Sequence, residues 1–177
     1  MDYHTARHLA ERIVQQLTPH CERIKICGSI RRHKSECRDI DIVCLPQIQP
    51  VKDLFGMVSH NERSPGFIQV VNSWTRLKGD PTGKYTQREI EGMKVEIAIA
   101  SPNNFGNLVV IRTGNAEFSH QIMNWINKRG LVQKDGFLYK GDQQLVIKDE
   151  VDFFKTIGLP LIDPVLRDEN VLKRYVQ

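Results

Sequence analysis

Apolar side chains recur at Ala6, Leu9, Ala10, Ile13, Val14 and Leu17, with charged or polar residues between them. Steps of three and four place them on one face of an amphipathic helix over 3–17, which Pro19 ends. The period then shortens. RIKIC (23–27) alternates as a strand, Gly28-Ser29 breaks it, IRRHKSEC (30–37) reads as a polar turn with a short helix, and DIDIVCLP (39–46) is a second strand stopped by Pro46. Val51, Leu54, Phe55 and Val58 share one helical face, which predicts a helix over 50–60. Residues 61–66 read as a loop and FIQVVNSWTRL (67–77) as a strand. KGDPTG (78–83) is a turn, and KYTQREIEGMKVEIAIA (84–100) is a hairpin with Glu91-Gly92 at its tip.

After a loop at 101–104, NLVVIRTG (107–114) reads as a strand ending in Thr113-Gly114. AEFSHQIMNWINKRG (116–130) is a helix with Phe118, Ile122, Trp125 and Ile126 inward and Gly130 closing it. GFLYKGDQQLVI (136–147) is a small hairpin turning at Gly141-Asp142, and DEVDFFKTIGLP (149–160) is a short helix closed by Gly158. Strands concentrate in the first two thirds. The expected fold class is α+β: a mixed sheet with helices on one face, then a small C-terminal α/β subdomain.

A chain of 177 residues suits one domain, or one domain with a small lobe, and can bury a core without covalent staples. Hydrophobic residues make up 40% and charged residues 26%, as in an ordinary soluble globular protein. A net charge of +4 and a pI near 8.9 permit a polyanionic partner without demanding one. Cys21, Cys27, Cys37 and Cys44 have neither C-x-x-C spacing nor a following zinc-finger histidine pair, so they read as reduced thiols of an intracellular protein. The first 17 residues are charged throughout, and no apolar run approaches the roughly 20 residues of a membrane span. The expected location is the cytoplasm, with no membrane partner.

The chemistry concentrates in ICGSIRRHKSECRDIDIVCLP (26–46). Asp39 and Asp41 are two apart on a strand, so both carboxylates face one side while Ile40 and Ile42 face the core. A hard divalent cation such as Mg²⁺ would neutralise them; a polar strand face that happens to carry two acids is the alternative. Gly28 lets backbone approach a phosphate closely, the Ser29 hydroxyl can donate to it, and Arg32 follows within one turn.

G-S-x-R-R followed seven residues later by D-I-D resembles the signature of the family X DNA polymerases, within the polymerase-β nucleotidyltransferase superfamily. The resemblance implies a palm over 1–108 and a thumb-like subdomain over 109–177. It implies that Gly28, Ser29 and Arg32 bind the nucleotide's β and γ phosphates, and that Asp39 and Asp41 bridge two Mg²⁺ ions, for which Mn²⁺ could substitute. The family's third carboxylate, an aspartate after a hairpin, falls on Glu96 in GMKVEIAIASPNNFG (92–106). Glu96 would bind the ion that activates the attacking hydroxyl. VVIRTGNAEFSH is similar to the family's strand, T-G turn and helix, and implies that Thr113, Gly114 and Asn115 lie beside the nucleotide's sugar and base. Ile111 and Arg112 stand where the family has aromatics, so Arg112 is expected at a phosphate or a base edge. EVDFFKTIGLPLIDPVLRDE (150–169) is similar to the family's C-terminal end.

The implied activity is addition of nucleotides from (d)NTPs to a primer 3′-hydroxyl with release of pyrophosphate, as in short gap-filling repair synthesis. The expected partners are nucleoside triphosphates and primer-template or gapped DNA, and the expected state is a monomer. Lys84, Arg88 and Lys94 are expected along a DNA-facing edge with Lys78; Arg31, His33 and Lys34 add positive charge nearby; Trp74 and Tyr85 could stack on bases or simply pack. The sequence has no counterpart of the family's N-terminal lyase domain or helix-hairpin-helix segment, which implies weak DNA binding and few additions per encounter. A small polymerase of this kind would suit a virus or phage. The competing readings are a catalytically degenerate nucleotide- or DNA-binding module, and a nucleotidyltransferase acting on an RNA or protein acceptor.

Overall fold

The computed structural model describes residues 1–168 and 171–175. Helix α1 (Tyr3–Leu17) begins where the Asp2 carboxylate accepts from the Thr5 amide, satisfying one of the first-turn amides that have no partner inside the helix. Its stripe of Ala6, Leu9, Ala10, Ile13 and Leu17 is buried, as the periodicity requires. Next come β1 (Cys21–Ile26), the one-turn helix α2 (Gly28–Arg31) and β2 (Asp39–Pro46). Strands β3 (Ile48–Lys52) and β4 (Val58–Arg63) pair only with each other. Helix α3 (Pro65–Asn72) is followed by β5 (Thr75–Gly79), β6 (Tyr85–Ile90) and β7 (Met93–Ile99).

The main sheet has the order β1-β2-β7-β6-β5. The β2–β7 pair is parallel and the other pairs are antiparallel, so the sheet is mixed. Period-two alternation gives it two unlike faces. Ile40, Ile42 and Cys44 with Val95, Ile97 and Ile99 pack against α1 and α3. On the opposite face, Val43, Leu45 and Ala98 pack under Phe105 and Val109 of helix α4 (Phe105–Thr113). Helices therefore lie on both faces, with α4 covering only the end of the face where the strands turn apolar.

The C-terminal part keeps the expected helix, hairpin and helix, and adds an unexpected strand over Leu131–Lys134. Helix α5 (Ala116–Lys128), strands β8 (Leu131–Lys134), β9 (Phe137–Lys140) and β10 (Gln143–Gln144), and helix α6 (Glu150–Thr156) enclose a second core around Phe118, Ile122, Leu138, Phe153 and Phe154. Each fully buried side chain of this size contributes roughly 2 kcal/mol of transfer free energy. Val109 belongs to the first part and Val110 to the second. The boundary expected between residues 108 and 109 thus falls inside one continuous helix, α4.

Three predicted elements take another form, and the loop expected over 61–66 falls in β4 and the start of α3. The helix expected over 50–60 is the β3–β4 hairpin, because Leu54 and Phe55 are 101% and 90% exposed and there is no helical face to bury. Asp53 instead accepts the Phe55 and Met57 amides and closes a turn with Gly56. The strand expected over 67–77 divides into α3, which buries Phe67 and Val71 one helical turn apart, and β5. The strand expected over 107–114 is α4. Its β-branched run is buried on more than one side, so neither period shows, and tertiary packing overrides local propensity.

Candidate functional site

Asp39 and Asp41 lie on the sheet face that α4 leaves open, and the register brings Glu96 to them. In the parallel β2–β7 pair, Asp41 is opposite Glu96 and Asp39 is opposite Lys94. Neighbouring strands are about 4.8 Å apart, and register partners project to the same side. Three carboxylates and one ammonium therefore share a single patch.

The carboxylates are not equivalent. Glu96 Oε1 accepts from Lys94 Nζ at 2.9 Å and Gln87 Nε2 at 3.0 Å, and Oε2 accepts from Arg112 at 3.2 Å. Burial alone would raise its pKa, but Lys94, Tyr85 and Arg112 hold it below the usual glutamate range. Lys94 also reaches Asp39 Oδ2 at 3.1 Å, and its two carboxylate partners keep its pKa above the ordinary lysine value. Asp41 has no ion pair within 4 Å among the described residues. Burial, reinforced by the charges of Asp39 and Glu96, pushes its pKa up to about 7, against the opposing pull of Arg112 and Arg32.

Above this patch the chain turns at Gly28, whose φ of +60° favours glycine. A Cβ there would stand 2.1 Å from Asp41 Oδ2, so only glycine lets backbone pass so close to the carboxylate. The next residue, Ser29, has a buried hydroxyl without a partner among the described residues, as does Nε of Arg32. Arg32 donates to the Thr113 carbonyl at 2.5 Å, and burial lowers its pKa. The turn therefore presents unused donors beside a carboxylate patch. Oxygen donors alone make up the acid set, and its innermost member bears a poorly balanced charge; that chemistry fits a hard divalent cation. As the side chains stand, no group of three His, Cys, Asp or Glu among the described residues is disposed around a metal position. Lys94 and Arg112 engage both oxygens of Glu96.

Residues 108–168 match the family model described as DNA polymerase beta thumb. The crystal structure of Leishmania infantum polymerase beta, a ternary P/T complex, matches with a TM-score of 0.70 and 14% identity, over 95% of this chain and 76% of that one. The chain has the polymerase beta fold. In all, 227 chains of solved structures match. No curated protein matches by sequence.

We call the main sheet with its helices the palm, and the C-terminal part, which holds the matched segment, the thumb. Helix α4 brings Arg112 to Glu96 of the acid patch and Thr113 to Arg31 and Arg32 of the turn. Thr113 is fully buried and accepts from Arg31 at 3.0 Å. Gly114 fits against the Phe118 ring, and Asn115 caps α5 by accepting from the Phe118 amide at 2.7 Å. These two form the turn into α5, whatever else they contact. A cleft of about 350 Å³ opens beside Arg112, between Tyr85 on the palm and Phe137 on the thumb hairpin.

Arg88, expected on a DNA-facing edge, lies elsewhere. Arg88 is fully buried and donates to the Val71 carbonyl, the Gln87 carbonyl and the Asn72 side chain, so it fastens the end of α3 to the sheet. Strand alternation turns it into the core, opposite to the exposed position its charge suggested. Lys94 turns inward to the acids. Lys84 is exposed and pairs with Asp135 at 3.4 Å. Trp74 packs on the core, while Tyr85 borders the acid patch, where burial and Glu96 push its pKa up to about 12.

Sequence reasoning missed the tie between palm and thumb. Arg31 makes a bidentate pair with Glu150, and the fully buried Arg167 reaches the same carboxylate at 2.5 Å. Burial by itself would raise the Glu150 pKa, yet the two arginines hold it below the ordinary value. Only the adjacency of Arg31 to Arg32 in the motif hinted at a role, and nothing local pointed to Glu150 or Arg167. The four cysteines are free and buried, and burial raises the Cys27 thiol to about 12. Among the described residues, no helix is long and apolar enough to cross a membrane.

Proposed function

We propose that this protein is a nucleotidyltransferase of the DNA polymerase type, extending a primer 3′-hydroxyl from (d)NTPs on primer-template or gapped DNA. The observation that carries the reading is the Asp41–Glu96 register pair, with Asp39 on the same face, lying under a glycine turn that leaves the Ser29 hydroxyl unused.

Gly28 and Ser29 would hold the triphosphate by backbone approach and a hydroxyl donor, with Arg32 supplying a charged donor. Asp39, Asp41 and Glu96 would hold Mg²⁺ or Mn²⁺, which when bound supplies positive charge to the attacking and leaving oxygens. In this reading Glu96 would also take the proton of the attacking hydroxyl, once freed from Lys94 and Arg112. Arg112, at the end of α4 and over the Tyr85 ring, would pair with a phosphate or a base edge. The thumb match and the fold of a polymerase solved as a ternary P/T complex support DNA as the partner. Gap-filling repair by a monomer is the role this reading favours.

Extension of a labelled primer, with and without template, from dNTPs and NTPs in Mg²⁺ and in Mn²⁺, tests the reading. Incorporation is expected in wild type, lost in Asp39→Ala and Asp41→Ala, and kept or raised in Glu96→Asp. A second reading, a module that binds nucleotide or DNA without catalysis, draws on the full pairing of Glu96 with Lys94, Gln87 and Arg112. It prevails if wild type incorporates nothing in either metal.

A further inference from the structure

We propose that Lys94 is the resident cation of the acid patch and sets how tightly the patch takes a divalent metal ion. This rests on reading Asp39, Asp41 and Glu96 as metal ligands, and adds a residue that competes with the ion.

The ammonium sits between carboxylates on two different strands, 3.1 Å from Asp39 and 2.9 Å from Glu96. That is the position a bridging cation would take. The register fixes it there: Lys94 is opposite Asp39 in the parallel pair and two residues before Glu96, so strand geometry turns all three side chains to one side. Glu96 is 14% exposed, so its ion pairs are largely shielded from water, whereas Lys94 is 41% exposed. A lysine in that position can swing its head into solvent and leave no buried void. Its structural load is therefore small and its electrostatic effect on the patch is large. Arg112 holds the other oxygen of Glu96, so the carboxylate is released only when both cations give way.

A metal ion must displace Lys94 or bind beside its charge. Removing the charge should tighten metal binding. A lysine that merely orients Glu96 for the metal would behave in the opposite sense, since its removal would loosen a ligand.

The test is Mn²⁺ binding, measured by electron paramagnetic resonance on the whole chain without nucleotide, for wild type, Lys94→Met, Lys94→Arg and Asp41→Asn. Circular dichroism checks that each is folded, and Lys94→Gln serves if the methionine variant is not. The proposal expects Lys94→Met to bind Mn²⁺ about three- to ten-fold more tightly, as follows from releasing a partly exposed ion pair and a like charge. Lys94→Arg is expected to stay near wild type and Asp41→Asn to bind weakly. Equal or weaker binding by the neutral variants, with Asp41→Asn still impaired, overturns the role of Lys94 and leaves the metal-site reading standing. Indifference of Mn²⁺ binding to Asp41→Asn overturns both.

Discussion

Asp41 and Glu96 are register partners on adjacent parallel strands, yet only Glu96 is neutralised by protein cations. The imbalance leaves Asp41 with the less balanced charge of the pair. It also makes the two carboxylates respond differently to mutation and pH.

Asp41 should destabilise the metal-free protein above neutral pH. Its folded pKa, about 7, lies above the ordinary 3.8. Between these values the unfolded chain holds fewer protons than the folded one, so stability falls as pH rises through that window. Asp41→Asn removes the penalty. Urea unfolding in a chelator should find the variant more stable than wild type at pH 8 by about 2–4 kcal/mol, with the gap closing towards pH 4. A constant gap at both pH values would show that the Asp41 carboxyl is not perturbed.

Glu150 should be worth far more than a surface acid. Glu150→Gln leaves the fully buried Arg167 guanidinium without a carboxylate and breaks the bidentate pair with Arg31. The expected loss is about 3 kcal/mol by chemical denaturation, the cost of breaking a buried pair from one side. A loss under about 1 kcal/mol would place the pair in the weak class of exposed bridges.

Arg88→Met separates folding from DNA binding. It removes three hydrogen bonds, two of which tie the end of α3 to the sheet, so about 1–3 kcal/mol of stability should go. DNA affinity of the folded variant, measured by fluorescence anisotropy, should be unchanged. Lys84→Ala, on the exposed edge, should leave stability alone.

Gly28→Ala combines strain at a φ of +60° with a Cβ 2.1 Å from Asp41 Oδ2. Thermal unfolding should report about 1–3 kcal/mol of destabilisation. Calorimetric titration with a nucleoside triphosphate should report a loss of binding greater than for His33→Ala, whose side chain lies at the end of the same turn.

The sequence by itself determined the features that depend on near neighbours. The α1 stripe, the alternation of Asp39 and Asp41 against Ile40 and Ile42, the 84–100 hairpin and the α5 helix all follow from period and turn chemistry. The spacing of Gly28, Ser29 and Arg32 to the two aspartates, and the family likeness of 92–106, singled out residues that the glycine turn and the strand register bring together. Only the tertiary structure decided which face each charge takes and what it meets. Arg88 is drawn into the core by strand alternation, and Lys94 turns to the acids by its register with Asp39. The run 105–113 becomes a helix because both the palm and thumb cores bury it, which erases the periodicity that would announce it. Glu150 meets Arg31 across 119 residues of chain, a pairing that no local pattern encodes because it is set by how the thumb packs on the palm.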